Sequence, residues 1–373
     1  MEFTVNKQDL ATSLYKAQGV VDKKSALNIL SHVLIETTSN TEIRFTCTDY
    51  DVVLTGTLPA EVSEPGKIAV GAKNLYEVVR ALPEEPVHIS RLENDWISLR
   101  CGSANFRLAG LPADDFPEQT DPGSLNFASV PKQQLLDLID RTLFSVSHDE
   151  SRASLNGVLF EVTPSNNELR LLMVSTDGHR LSKSESVGGE ASNFDQAAKA
   201  IIHRKAISEL KRCLEDSSDM VQVAFERGNI YFGLNNTMLQ VRELEETFPD
   251  YSRVIPEVNS IQLSLNRIKF QDMVRRIATL TSSKTHILRF EIQTGKLVLR
   301  SSNPEAGEGW DELAVSYEGE PLSVGFNYRY LLDILSVIDS DQVTFSINDQ
   351  YSPGLLTTPD DDGSLFVVMP MRI

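Results

Sequence analysis

One stretch occurs three times in this chain, and a chain that repeats itself must fold as repeats. Each occurrence is a short apolar strand running into an amphipathic helix. It reads IAVGAKNLYEVVRAL at residues 68–82, IIHRKAISELKRCL at 201–214 and LSVGFNYRYLLDILSVI at 322–338. In the middle copy Ala206, Ile207, Leu210, Cys213 and Leu214 share one helical face by their 3–4 spacing, with Arg204, Lys205, Lys211 and Arg212 off it. The stripe is Leu75, Val78, Val79 and Leu82 in the first copy, and Leu331, Leu332, Leu335 and Ile338 in the third. Aligning Lys73, Lys205 and Arg329 gives steps of 132 and 124 residues. Solenoid repeats run to about 20–50 residues, so these steps mean duplicated domains.

The flanks repeat as well. Strand EFTV precedes a helix from Lys7, with Leu10, Ala11, Leu14 and Ala17 on its stripe. SLNFASV precedes a helix with Leu135, Leu136, Ile139 and Leu143 on its stripe, and IQLSL precedes RIKFQDMVRRIATL. Strand-like runs rich in β-branched residues fill the rest. Phe116-Pro117-Glu118 closes the first copy and Phe248-Pro249-Asp250 the second, again 132 residues apart. Each copy reads as βα-βββ-α-βββ, and the expected domains are residues 1–125, 126–256 and 257–373. Alternating strands imply antiparallel sheet with one covered face. The expected fold class is therefore α+β, two helices per copy on one face of the sheet. Joining such domains through their sheet edges leaves no edge exposed, and a series that curves closes as a ring.

Charge is segregated in the same way. Residues 7–18, 73–82, 132–142, 204–214, 267–277 and 329–338 carry +1, +1, 0, +3, +3 and 0. The helices thus hold +8 within a chain of net charge −18, which leaves −26 for strands and loops. A strongly acidic chain argues against nucleic acid, but a basic helix layer backed by an acidic one suits phosphate on one side only. Phosphate contacts carry no sequence information and weaken steeply with salt. Lasting attachment by such contacts requires enclosure. Cys47, Cys101 and Cys213 are far apart and odd in number, which suits a reducing cytoplasm and offers no zinc spacing. MEFTVNKQDL has no basic region followed by an apolar run, so no signal peptide is expected. No apolar run approaches the roughly 20 residues of a membrane span.

Several motifs carry a family resemblance over the whole chain. They are Thr176-Asp177-Gly178-His179-Arg180-Leu181, Phe248-Pro249-Asp250-Tyr251, Asn303-Pro304-Glu305, Gly325-Phe326-Asn327 and Val368-Met369-Pro370-Met371-Arg372. In this order, on three copies, they resemble the bacterial sliding clamps, the beta subunits of the DNA polymerase III holoenzyme. The resemblance implies a DNA-clamp fold of three tandem domains closing as a head-to-tail homodimeric ring around double-stranded DNA. It implies no catalysis and no cofactor or metal. The implied partners are the replicative polymerase, a clamp loader, and other polymerases and repair proteins carrying a short clamp-binding peptide. The implied peptide pocket lies between domains two and three, at Leu155, Thr176, Gly178, His179, Arg180, Leu181, Pro249, Val254, Tyr351, Val367, Met369, Pro370, Met371 and Arg372. Unbranched Met369 and Met371 suit varied partners, and His179 and Arg180 are expected to hold a peptide's polar groups.

The implied DNA contacts are Lys24, Lys73, Arg80, Arg152, Arg204, Lys205 and Lys284, to which the helix pattern adds Arg212 and Arg276. Aromatic residues common in the family near Ala153 and Ser154 are absent here. The dimer contact is expected to join the sheet edges of copies one and three, with Phe106 against Leu280 and Arg107 facing Glu305 or Glu308. The enzymatic alternative uses His179 oriented by Asp177 as a general base, but no nucleophile elbow accompanies them. Asp49 and Asp51 read as a duplicate of the Asp177 turn rather than as metal ligands. A clamp of the trimeric kind, with two copies per chain, conflicts with the three copies counted.

Overall fold

Three helices begin on an asparagine whose side chain replaces the missing helical acceptor. Asn6 Oδ1 accepts from the N–H groups of Gln8 and Asp9 at 2.8 and 3.2 Å. Asn266 does the same for Lys269 and Asn327 for Arg329, each at 3.0 Å. The middle copy uses His203 instead, whose Nδ1 accepts from Lys205 N–H at 3.2 Å. Burial, and then the neighbouring Arg204, hold its imidazole below the ordinary histidine pKa, which keeps that nitrogen an acceptor. The structure, a computed structural model, describes residues 1–22, 26–118, 125–165, 168–190, 194, 196–257, 260–282 and 285–373, residue 362 by its backbone alone.

The first copy is β1 (Glu2–Val5), α1 (Lys7–Val20), β2 (His32–Ser39), β3 (Glu42–Thr48), β4 (Val52–Glu64), β5 (Lys67–Gly71), α2 (Ala72–Ala81), β6 (Val87–Arg91), β7 (Trp96–Cys101) and β8 (Ala104–Leu111). The second is β9 (Ala128–Pro131), α3 (Lys132–Thr142), β10 (Gly157–Ser165), β11 (Glu168–Thr176), β12 (Arg180–Gly188), β13 (Ala198–His203), α4 (Arg204–Leu214), β14 (Met220–Glu226), β15 (Asn229–Leu234) and β16 (Thr237–Arg242). The third is β17 (Ile261–Asn266), α5 (Arg267–Ala278), β18 (Ile287–Gln293), β19 (Lys296–Asn303), β20 (Gly307–Ala314), β21 (Leu322–Asn327), α6 (Tyr328–Val337), β22 (Gln342–Ile347), β23 (Gly354–Thr358) and β24 (Asp361–Val368). The order within each copy is the same. Four strands, not three, separate the two helices, because the strand feeding the second helix pairs as a member in its own right. In the third copy β20 is the strand the apolar pattern does not reveal, since its side chains are exposed or half-buried throughout. The stretch SLNFASV becomes strand only from Ala128.

Helix stripes are largely as their spacing predicts, with local shifts. α4 buries all five predicted residues. α3 buries Leu135, Leu138, Ile139 and Thr142, leaving Leu136 half-buried, and α1 buries Ser13 where Ala11 was expected.

The chain divides into two compact units that cut through the second copy. In the first unit one antiparallel sheet runs β1, β6, β7, β8, β5, β2, β3, β4, β16, β15, β14, β9. α1 packs against both α2 and α4. In the second unit β10, β11, β12, β24, β23, β22 and β17 are neighbours in that order, and a separate sheet runs β20, β19, β18, β21. Its core centres on Phe270, Phe290, Phe326 and Phe345, with ring centroids 5.3–6.3 Å apart in tilted and edge-on pairs. Each unit joins two copies through one strand pair. β4 pairs with β16, and β12 pairs with β24. Both pairs use the third strand of a four-strand run and the last strand of the following copy.

Candidate functional site

Asp177 builds the turn from which β12 departs. Its Oδ1 accepts from the N–H groups of His179 and Arg180 at 2.9 and 3.0 Å. Thr176 Oγ1 donates to the Arg180 carbonyl at 2.6 Å and accepts from Gly178 N–H at 3.1 Å. Gly178 sits at φ +87°, a left-handed conformation open to glycine. The first copy makes the same turn: Asp49 Oδ1 accepts from Asp51 and Val52 N–H at 3.1 and 2.7 Å, with Tyr50 at φ +79°. Asp49 and Asp51 are thus a duplicated turn. The Asp177 carboxylate turns its second oxygen to Arg180 Nε at 3.1 Å, so it orients that guanidinium rather than the His179 ring.

Arg180 is a structural hub. Besides Asp177, its guanidinium donates to Asp333 Oδ2 at 2.6 Å and to the Phe144 carbonyl at 2.5 Å. It lies over the rings of Tyr330 at 4.5 Å and Phe144 at 5.2 Å, and its side chain is 10% exposed. The role expected for it, holding a peptide's polar groups, is therefore largely taken by the protein itself. Sequence reading missed Phe144, Tyr330 and Asp333. The only signal for the last two is their i, i+3 spacing on one face of α6.

The C-terminal strand completes the site. In the β12–β24 pair Leu181 opposes Val367, and both are buried. Met369 N–H then donates to the His179 carbonyl, and Met371 N–H to the Gly325 carbonyl, each at 2.8 Å. Beyond the strand Met369 is exposed, Pro370 and Met371 half-buried and Arg372 exposed. A cleft of about 510 Å³ opens beside this tail, lined by Ser323, Val324, Gly325, Gln350, Tyr351 and residues 370–373. Of the expected pocket residues, Tyr351, Pro370, Met371 and Arg372 line it. Thr176, Gly178, His179, Arg180, Leu181, Val367 and Met369 form the turn and strand pair. Leu155 is half-buried, while Pro249 and Val254 are exposed on the segment after β16.

Behind the turn Arg170 grips Glu185 with two hydrogen bonds of 2.5 and 2.7 Å. Its hydrogen bonds hold the Glu185 carboxyl below its ordinary pKa. A depressed carboxylate pKa adds stability above the ordinary value, and that stability is lost as pH falls through the folded one. The expected advantage of the wild type over Arg170→Gln, at most about 1 kcal/mol for a half-exposed pair, is full near neutral pH, starts to fall at the ordinary glutamate pKa of about 4.3 and is gone only below the lower folded one. Urea midpoints across that range check it.

The expected DNA-facing residues are spread differently. Lys24 and Lys284 lie outside the described residues. Lys73 projects from α2, 4.0 Å from Glu77, and Arg80 is exposed beside Tyr76. Arg204 is half-buried at the start of α4. Lys205 is held by the Asp49 carboxylate and by the Val20 carbonyl at 3.1 Å. Arg212 pairs with Glu209 at 3.0 Å, and Arg276 makes two bonds to Asp311 at 3.0 and 2.7 Å. Arg152 leans over the Asp177 turn, donating to the Asp177 carbonyl at 3.2 Å, and lies on no helix. The expected dimer residues sit on two open strands. Among the described residues, β8 pairs with β7 and meets β5 only at Gly110 and Leu111, which leaves the second edge of residues 104–109 unpaired. β20 pairs with β19 alone. Phe106 and Arg107 are on the first edge; Glu308 is on the second, Glu305 just before it, and half-buried Leu280 follows α5.

Comparison with known proteins covers the whole chain. Residues 1–120, 129–250 and 252–372 match the N-terminal, central and C-terminal domains of the DNA polymerase III beta subunit. The beta sliding clamp of Pseudomonas aeruginosa is 35% identical over 375 residues and that of Caulobacter vibrioides 33%, each covering all of both chains. Among solved structures, the P. aeruginosa DNA polymerase III subunit beta superposes with a TM-score of 0.91 at 34% identity, covering all of both chains. A Bartonella birtlesii sliding clamp bound to griselimycin gives 0.92 at 33%, again with full coverage of both. Three domain matches in order, relatives of equal length and a shared three-domain fold place this chain in the DNA polymerase III beta-subunit family, the bacterial sliding clamps.

Proposed function

We propose that this chain is the processivity clamp of a replicative DNA polymerase: a homodimeric ring that encircles duplex DNA, slides without sequence preference and tethers partners by short peptides. It carries no catalytic activity. The proposed domains are residues 1–125, 126–256 and 257–373.

One observation carries the ring. Within the chain, the third strand of a four-strand run twice meets the last strand of the next copy, and the register is the same both times. Counted from the Asp turns, Val52 opposes Val241 and Leu54 opposes Leu239, as Arg180 opposes Val368 and Ser182 opposes Phe366. The two strands left over are β20, a third strand, and β8, a last strand. Applying that register to them across a subunit boundary puts Glu308 opposite Arg107 and Gly309 opposite Phe106. Phe106 then takes the position of Leu239 and Phe366, which are 0% and 1% exposed, whereas Phe106 is 39% exposed in the single chain. Gly309 leaves the space: a Cβ there would lie 2.9 Å from Leu280 Cδ1. Copies joined head to tail by this pair repeat the internal junction until six domains close, with the open edges of β8 and β20 covered.

The helices then supply the DNA side through Lys73, Arg80 and Arg204, with Arg152 on its loop, and Lys24 and Lys284, outside the described residues, are proposed as further contacts. Lys205, Arg212 and Arg276 reach phosphate by exchanging their present carboxylates for it. The cleft lined by Tyr351, Pro370, Met371 and Arg372 takes the partner peptide, with Leu155, Thr176, Gly178, His179, Leu181, Pro249, Val254, Val367 and Met369 as further proposed contacts outside its lining, and Arg180 holding the turn. Tyr351, Pro370 and Met371 give it apolar surface for a short hydrophobic segment, while Ser323, Gln350 and Arg372 offer polar groups to that segment's backbone. The partners are the polymerase's catalytic subunit, a clamp loader, and other polymerases and repair proteins that carry such a segment. Among the described residues no helix is long and apolar enough to cross a membrane; we place the protein in the cytoplasm.

The test is loading onto a nicked circular duplex by a clamp loader, followed by a wash at about 1 M salt, where the Debye length is about 3 Å. The protein is expected to remain on the circle and to leave once the circle is cut. Loss from the intact circle would show an electrostatic grip and end the ring reading.

A further inference from the structure

A second cleft, again of about 510 Å³, opens among α1, α2 and α4, within the roughly 300–1,000 Å³ typical of ligand sites. Two tyrosines form its aromatic wall: the rings of Tyr15 and Tyr76 lie 6.2 Å apart, tilted by 42°. Arg80 sits over the Tyr76 ring at 5.6 Å and Arg212 over the Tyr15 ring at 5.3 Å. The floor is made by an absence of side chain. A Cβ on Gly19 would lie 1.6 Å from Glu209 Oε2 and 1.9 Å from Arg212 Nη1, so any side chain there displaces that ion pair from its present place. Gln18 contributes the telling group. Gln18 lines this cleft, and its buried Nε2 has no hydrogen-bond acceptor among the described residues. A buried donor left unpaired is costly, and an acceptor entering the cleft removes that cost.

The charges say what kind of acceptor enters. Arg80 and Arg212 are balanced by Asp22 and Glu209 in the same wall. A phosphate inside the cleft meets both carboxylates, so Arg80 and Arg212 serve phosphates that stay outside it. A neutral, flat group with carbonyl oxygens meets ring faces, guanidinium planes and a waiting amide. The three helices around the cleft carry a net +5, which holds a phosphate backbone outside while its base turns in. We propose that this cleft receives an unpaired nucleobase of single-stranded DNA, stacked on Tyr15 and Tyr76, with a base carbonyl accepting from Gln18. This deepens the clamp reading by giving the helix layer a place for unpaired template beside its duplex.

The experiment uses the full chain and free oligonucleotides, so it does not depend on ring closure. A labelled decathymidylate and an abasic strand of equal length and charge are titrated by fluorescence anisotropy. The base-bearing strand is expected to bind about tenfold tighter, one stacking contact's worth. Tyr15→Ala and Tyr76→Ala each bring it down to the abasic level, Tyr76→Phe keeps it, and Gln18→Leu weakens it several-fold. Equal binding of the two strands overturns the proposal. So does a base preference that survives both alanine variants, or one that is displaced by a clamp-binding peptide, since the base then sits elsewhere. Thermal unfolding confirms that each variant folds. Retention on the nicked circle reports the clamp reading separately, and is expected to be unchanged in Tyr15→Ala and Tyr76→Ala.

Discussion

Phe106→Asp is expected to turn the dimer into a monomer. Phe106 holds a position whose two counterparts, Leu239 and Phe366, are buried at the internal junctions. Burying such a side chain contributes about 1.5–3 kcal/mol, and the carboxylate that replaces it enters an apolar place with no cation. A ring of two subunits contains this junction twice. A loss of about 3 kcal/mol at each is about 6 kcal/mol in all, on the order of 10⁴-fold in the dissociation constant. Sedimentation at micromolar concentration reads the change, and an unaltered dimer would remove β8 from the interface. The ionic arm tests the register separately. Arg107→Glu and Glu308→Arg each weaken the dimer by like-charge opposition, and together they restore it. A register shifted by one residue predicts no rescue, because side chains opposite one another alternate between faces.

Arg180→Met is expected to lower the stability of the unit containing β24 by about 3 kcal/mol, at the lower end of the range for a broken buried pair. The substitution leaves Asp177 without its cation, Asp333 without its partner and the Phe144 carbonyl without a donor. Asp333 is 46% exposed, so water recovers part of the loss. Removing the stranded charges as well, with Asp177→Asn and Asp333→Asn, is expected to return some of the stability. Peptide affinity falls in the single variant, because the turn beneath His179 and Met369 loosens. A loss under about 1 kcal/mol by urea denaturation would mean that Arg180 is a solvated bystander.

Local pattern reading worked where a side chain's environment is set by its own element. The α4 stripe is a case: five apolar residues at 3–4 spacing are all buried. The Asp turns are another, since the carboxylate caps its own next residues. It was half right where two faces are equally apolar, as in α3. There Leu135 and Ile139 are buried as their spacing predicts, Leu136 and Leu143 are half-buried, and packing buried Leu138 and Thr142 instead. It also missed β20, because an edge strand with no buried face carries no alternating apolar signal. Among the site residues, Lys205 from the family resemblance and Arg276 from the helix pattern were expected to face DNA, yet both are met by carboxylates far away in the chain.

The amino-acid order alone determined that three similar units follow one another, where their helices lie, and that a glycine-bearing Asp turn precedes His179. Those properties depend on neighbours within a turn or two of chain. Only the tertiary structure decided which strands are left without partners, which cations are already paired, and that Arg180 is held by Asp333 at a separation of 153 residues. Partner choice across such distances is a matter of packing, in which every carboxylate of the chain competes for every guanidinium, and no periodicity records who wins.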